Sequence, residues 1–258
     1  METSAGLDIQ YEAFEAGLQD NIALLRFNRD FLLRTTDLEN RDRVLDYMDR
    51  IGRSPRVKVL IIFGSPLSKG REEFLDFFRR ARQGGVHMIS IQRMYNVVSQ
   101  LVVRIVELEK VVIHVNSGFI IAPYLNMSLA CDYRLVAEDA VIQNPCVELG
   151  MAPKGGGGYF LPRLVGRRRA YEIMLATRDI FAQEARQMGI IDELVPAEGL
   201  ETTALERARD LTTLPLPTLS GVKKLINYNL NGFREYMAYE NEVLLNIIRR
   251  NAAGQQLD

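Results

Sequence analysis

Two stretches decide how this chain folds: EKVVIHVNSGFIIAPYLNMSLACD, Glu109 to Asp132, and NPCVELGMAPKGGGGYFLPRLVG, Asn144 to Gly166. In the first, Val111 to Val115 (VVIHV) is a short β-branched run that predicts a strand. Pro123 suits the first helical position of PYLNMSLA, where its missing N–H breaks no intrahelical bond. Two further short strands are expected at Tyr133 to Val136 and Ala140 to Gln143. They lead into the second stretch and its run of four glycines, Gly155 to Gly158. So bare a backbone can approach a ligand closely or present N–H groups to an anion. Neither the Gly-Lys-Ser/Thr of a phosphate-binding loop nor the glycine spacing of a dinucleotide fingerprint accompanies it.

Working outward, Asn21 to Phe27 (NIALLRF) reads as a strand. Thr36 to Glu39 (TDLE) fits a capping box for a helix with Val44, Leu45, Met48 and Ile51 on one face. Val57 to Phe63 (VKVLIIF) is nearly continuous apolar sequence ending at Gly64, as in a strand buried on both faces of a parallel sheet. It opens into GSPLSKG. A helix is expected from Arg71, and another is marked by Met94, Val97, Val98, Leu101, Val102, Ile105 and Val106 at three- and four-residue spacing. From Tyr171 the pattern is mainly helical, interrupted at Gly189 to Val195 and by the turn at Leu214 to Thr218. This divides the chain into an α/β core over residues 1–196 and a helical region over 197–258. Leu225, Ile226, Leu230, Leu244, Leu245, Ile247 and Ile248 carry more apolar surface than a free tail tolerates, so burial is expected on the core or on another subunit.

The chain has 258 residues, which at ~150 residues per domain means one large domain or one plus a small appendage. Apolar residues make up 47% and charged residues 25%, an ordinary folded composition. The 32 Lys and Arg against 33 Asp and Glu leave a net charge of −1, too balanced for a nucleic-acid partner. Cys131, Cys146, His87 and His114 are the only cysteines and histidines, and no metal is expected. Met1 to Asp20 holds five carboxylates and no Lys or Arg, so no signal peptide is read, and no ~20-residue apolar span follows. The expectation is a cytoplasmic protein with reduced thiols and no membrane partner. No HExxH, GxSxG or CxxC pattern is present.

Taken whole, the two stretches resemble the signature segments of the crotonase, or enoyl-CoA hydratase/isomerase, superfamily. The match rests on the ending LACD, the P-x-x-x-L-G-x-x-P order before the glycines, and LPRLVG. It extends back through VKVLIIFG and on through RAYEIMLATRDIFAQEARQMGIIDELVP. The resemblance implies a crotonase-like spiral of ββα units with a C-terminal helical trimerisation region. It further implies an acyl-CoA thioester as ligand, with coenzyme A as part of the substrate and no separate cofactor. A homotrimer or dimer of trimers is expected, with itself or with a paralogue. Two backbone N–H groups would form an oxyanion hole for the thioester carbonyl. Aligned along the segments, the first falls at Lys69, with Gly70, Arg71 and Glu72 beside it as substrate contacts, and the second falls at Pro123.

The chain departs from the family pattern where chemistry would occur. Proline has no N–H, so half of the hole is missing at Pro123 unless the Tyr124 N–H or hydroxyl substitutes. Losing one such donor costs about 3 kcal/mol. The two positions that carry glutamates in hydratases of the family are here Asn126 and Cys146. An amide does not exchange protons usefully, although it can hold a water or a carbonyl. A thiol needs its pKa brought down from about 8.5 to act as thiolate, and Cys146 and Cys131 also suit the part of small apolar fillers. Were the segment extended, Glu148 would share a face with Cys146 and could stand in as the carboxylate. His114, inside an apolar strand, reads as a core histidine sooner than a catalytic one, and His87 as an exposed loop residue. Arg167 to Arg169 reads as a solvated helix start. Two functions follow: non-standard thioester chemistry such as isomerisation, decarboxylation or hydrolysis, or a catalytically silent binding or regulatory subunit.

Overall fold

The computed structural model describes residues 6–66, 70–82 and 88–254. In chain order the strands are β1 (Ile9–Gln10), β2 (Phe14–Gln19), β3 (Ile22–Phe27), β4 (Val59–Phe63), β5 (Val111–Asn116), β6 (Phe119–Ile121), β7 (Tyr133–Ala137), β8 (Val141–Gln143), β9 (Ile180–Phe181) and β10 (Glu193–Val195). The helices are α1 (Phe31–Arg34), α2 (Leu38–Arg53), α3 (Arg71–Arg82), α4 (Met88–Glu107), α5 (Ala122–Ser128), α6 (Pro145–Glu148), α7 (Gly157–Met174), α8 (Ala182–Met188), α9 (Leu200–Thr212), α10 (Leu216–Ile226) and α11 (Phe233–Gly254).

Among the described residues a seven-stranded sheet runs β1-β2-β3-β4-β5-β7-β10, and a three-stranded sheet runs β6-β8-β9. β1 to β3 form an antiparallel meander, and β3, β4, β5, β7 and β10 are parallel neighbours. β4 sits in the middle, with Val59 opposite both Ile22 and Val111. Its VLIIF sequence is buried but for half-buried Phe63, because helices cover both faces of a parallel sheet. The chain passes from the large sheet to the small one between β5 and β6 and again between β7 and β8, and enters a helix after each crossing. This repeat is the ββα spiral, and it makes the fold α/β. The parallel strands release their loops at the carboxyl edge, where open α/β sheets place ligands. There the chain leaving β4 re-enters as the Gly70–Arg71 turn and the chain leaving β5 turns through β6 into α5.

Local boundaries follow side-chain hydrogen bonding. The α2 cap is Asp37 rather than Thr36, its carboxylate accepting from the N–H groups of Glu39 at 2.9 Å and Asn40 at 3.1 Å. Thr36 is committed elsewhere, its hydroxyl donating to the Leu33 carbonyl at the end of α1. α5 begins one residue before Pro123, which takes the second helical position. Gly166, at φ 79° and ψ 160°, breaks α7, so Arg167 to Arg169 open its second segment and face solvent.

The last helices close over the core. α9 packs beneath β3, β4, β5 and β7, α10 against β5, and α11 along α4. Leu244 is buried, whereas Leu225 and Ile226 on α10 remain 79% and 71% exposed in the protomer. No helix among the described residues is long and apolar enough to cross a membrane.

Candidate active site

α5 is buried along its whole length, which brings Pro123, Tyr124 and Asn126 into the interior. Its first-turn donor at the second position is absent because Pro123 occupies it. The Tyr124 ring is buried and its hydroxyl accepts the Leu32 N–H at 3.3 Å, so this hydroxyl is engaged toward α1. Lys69, the expected first donor, lies outside the described residues, as does His87.

The turn beside it is described. Gly70 is buried with φ +56°, and a Cβ there would fall 2.3 Å from the Gln143 side-chain oxygen and 2.9 Å from the Phe119 ring. Only glycine fits that turn. The next amide, Arg71 N–H, donates to the same Gln143 oxygen at 2.8 Å, and the Gln143 amide donates to both Asp179 oxygens at 3.1 Å. The Arg71 guanidinium lies 3.0 Å from Glu148 and 3.9 Å from Asp179, all three about a third exposed. Glu72 faces outward in the first turn of α3, 3.4 Å from Arg79.

Glu148 therefore does not stand beside Cys146. Pro145–Glu148 is a helical turn, with proline preset for its first position, so residues two apart point to opposite sides. Cys146 turns inward and Glu148 outward to Arg71. Burial pushes the Cys146 thiol up to about 12, against weaker help from the backbone N–H groups of Cys146 and Lys154. It is a neutral thiol near pH 7. Cys131 is likewise buried, its thiol against the Met127 carbonyl at 3.7 Å, and burial pushes its pKa up further. His114 is fully buried, its Nδ1 2.7 Å from the Asn116 amide, and burial with nearby Arg134 brings its pKa down to about 3. It is a neutral core residue.

Lys154 links these positions, and the sequence reading did not single it out. Its carbonyl accepts from the Asn126 amide at 3.1 Å, and its backbone N–H faces the Cys146 sulfur. Its ammonium reaches 2.5 Å from Glu240 of α11, with the two residues 1% and 7% exposed. The Glu240 carboxylate also accepts the N–H groups of Gly155 at 3.2 Å and Gly156 at 2.8 Å. The glycine run does present amides to an anion, and the anion is the chain's own Glu240. A Cβ at Gly157 would sit 2.6 Å from the Asn126 oxygen, so the missing side chain lets the loop lie directly on α5. Tyr95 of α4 and Tyr236 of α11 also face Glu240, and burial raises both phenols above their usual range. Phe233 meets Tyr159 edge-on and Phe160 at a tilt, and Tyr236 meets Tyr159 at a tilt, fixing α11 to the start of α7. A lysine beside a glycine run was a visible signal, but its partner 86 residues away was not.

A family model described as enoyl-CoA hydratase/isomerase matches residues 17–250. The chain is 29% identical to a crotonyl-CoA hydratase of Syntrophomonas wolfei subsp. wolfei over 74% of its own length and 72% of that protein. It is 34% identical to a 1,2-epoxyphenylacetyl-CoA isomerase of Escherichia coli over 54% of its length, spanning about half (52%) of that relative. The fold is similar to that of the solved enoyl-CoA hydratase of Bacillus halodurans, with a TM-score of 0.77 at 19% identity, covering 92% of this chain and 95% of that one.

Proposed function

Because the chain belongs to the enoyl-CoA hydratase/isomerase family, we propose that it binds an acyl-CoA or related thioester between the Gly70–Arg71 turn and the start of α5. The reaction proposed is not ordinary hydration of a 2-enoyl thioester. It is isomerisation, decarboxylation or thioester hydrolysis, with an oxyanion held by the Lys69 amide and by the α5 terminus around Pro123. The observation that carries this reading is the state of Asn126 and Cys146. One is an amide and the other a buried thiol with a pKa near 12, so neither supplies the carboxylate that adding water to a double bond requires.

Loss of the Pro123 amide favours a second reading, a catalytically silent homologue that binds thioesters or serves as a subunit. In either case we assign the groove lined by Leu164, Leu214, Val222 and Ile226, about 910 Å³, to self-association as a trimer or dimer of trimers in the cytoplasm. Sedimentation of the purified protein tests the assembly.

Two measurements test the ligand and the chemistry. Crotonyl-CoA hydration by pure protein should be negligible, while titration with acyl-CoAs raises thermal stability, by about 2.7 kcal/mol at 100 times Kd. Full hydratase turnover overturns the chemistry. No stabilisation by any thioester removes the ligand.

A further inference from the structure

We propose that Gln143 is an internal plug of the thioester pocket. Its side-chain carbonyl holds the Arg71 amide in the place of an acyl carbonyl, and a thioester gains that amide only by displacing it. This rests on the reading of the site as a thioester pocket between the Gly70–Arg71 turn and the start of α5.

Gln143 ends β8, the middle strand of the small sheet, and the strand register sets it between those two elements. On one side it is paired with Ile121, the residue that leads into Ala122 and Pro123 of α5. On the other, the pairing of Ile142 with Ile180 brings Asp179 opposite it. The Gln143 side chain is buried and crosses to the turn, where its oxygen accepts the Arg71 N–H. That oxygen rests on the bare Cα of Gly70, so close that a side chain there would strike it, and the Phe119 ring of β6 crowds the same turn. The carboxamide thus fills the gap between turn and helix that the thioester carbonyl would enter.

Both ends of the carboxamide are committed, and in one sense only. The Arg71 N–H requires an oxygen, at 2.8 Å, and the Asp179 carboxylate requires N–H groups, 3.1 Å from each of its oxygens. A carboxylate on the amide nitrogen polarises the group and leaves its oxygen richer in electrons. What meets Arg71 is therefore a carbonyl with added negative charge, the form a thioester carbonyl takes as an enolate develops. The two compete for one donor. Once the carboxamide leaves, the Arg71 N–H gives the thioester oxygen a donor in place of the one absent at Pro123. Asp179 is about a third exposed and lies 3.9 Å from the Arg71 guanidinium, so water and that cation take over its charge.

The test is calorimetric titration of the full chain with butyryl-CoA and with free CoA, which has no acyl carbonyl. Gln143→Ala should bind butyryl-CoA about 10-fold more tightly than the wild type, the worth of one net hydrogen bond, with the affinity for free CoA unchanged. Asp179→Ala leaves the carboxamide in place but unlocked. It should tighten butyryl-CoA by a smaller factor, about 3-fold, and it carries the test if Gln143→Ala fails to fold. A glutamine that merely braced the turn would leave the variants less stable with no gain in affinity. The proposal is overturned if the folded variants bind butyryl-CoA no more tightly than the wild type, or if free CoA gains as much. Either result leaves the thioester reading standing. If neither the wild type nor any variant binds butyryl-CoA, the thioester reading fails first and this inference with it.

Discussion

Two ion pairs flank the Cys146 segment, each joining a basic residue to a glutamate, and they differ in almost every physical respect. Arg71 and Glu148 meet at 3.0 Å with side chains 38% and 37% exposed, in reach of water and of Asp179. Lys154 and Glu240 meet at 2.5 Å with 1% and 7% exposed, and the carboxylate is further held by two glycine amides. Solvent can replace either partner of the outer pair at little cost. Nothing replaces a partner of the inner pair, so each residue depends on the other. The chain has thus kept its exposed charges on the rim and enclosed one pair beside the candidate reacting centre.

The contrast is broken most sharply by Lys154→Met, which leaves the Glu240 charge buried alone. We expect a loss of about 3–5 kcal/mol, seen as a Tm lower by roughly 6–20 °C, with much of it recovered in the Lys154→Met, Glu240→Leu double variant. If the single variant melts like the wild type, the inner pair carries no such dependence.

His114 sharpens the comparison, being buried without a charged partner. Its folded pKa of about 3 lies below the ordinary 6.5, so the unfolded chain binds the proton more readily. Its contribution is fully present above pH 6.5 and declines as pH falls toward 3, amounting to a few kcal/mol by linkage. Denaturant titrations across that window should show a steep acid limb that flattens by one proton in His114→Asn. An unchanged limb would mean that His114 does not titrate with unfolding.

Gly157→Ala presses a methyl into the Asn126 amide, 2.6 Å from its oxygen, and should cost about 1–3 kcal/mol in urea unfolding. A neutral result would show that α5 can retreat from the loop. Smallest is Arg71→Ala, expected to change stability by under about 1 kcal/mol and to lose even that in high salt. A larger loss would place the outer pair with the inner one.

What could be read in advance follows how local the determining forces are. β4 and β5 were legible because VLIIF and VVIHVN carry their burial in their own composition. The α2 cap moved from Thr36 to Asp37 because Thr36 bonds backward to Leu33, a choice between neighbours that composition does not rank. The turn at Pro145–Glu148 is too short for any periodicity to reveal, and because it is helical the condition for Glu148 to share a face with Cys146 is not met. Asn126 and Cys146 were found through the resemblance of their segments. Lys154 and Glu240 were not, since their pairing exists only once α11 lies along α4.

Glu240 belongs to the last helix, so the glycine loop stays without its anion until that helix has been synthesised and docked. A chain stopped short of residue 240 would lack both the countercharge of Lys154 and most of the helix that covers it. The enclosure of the glycine loop is thereby the work of the last helix to leave the ribosome.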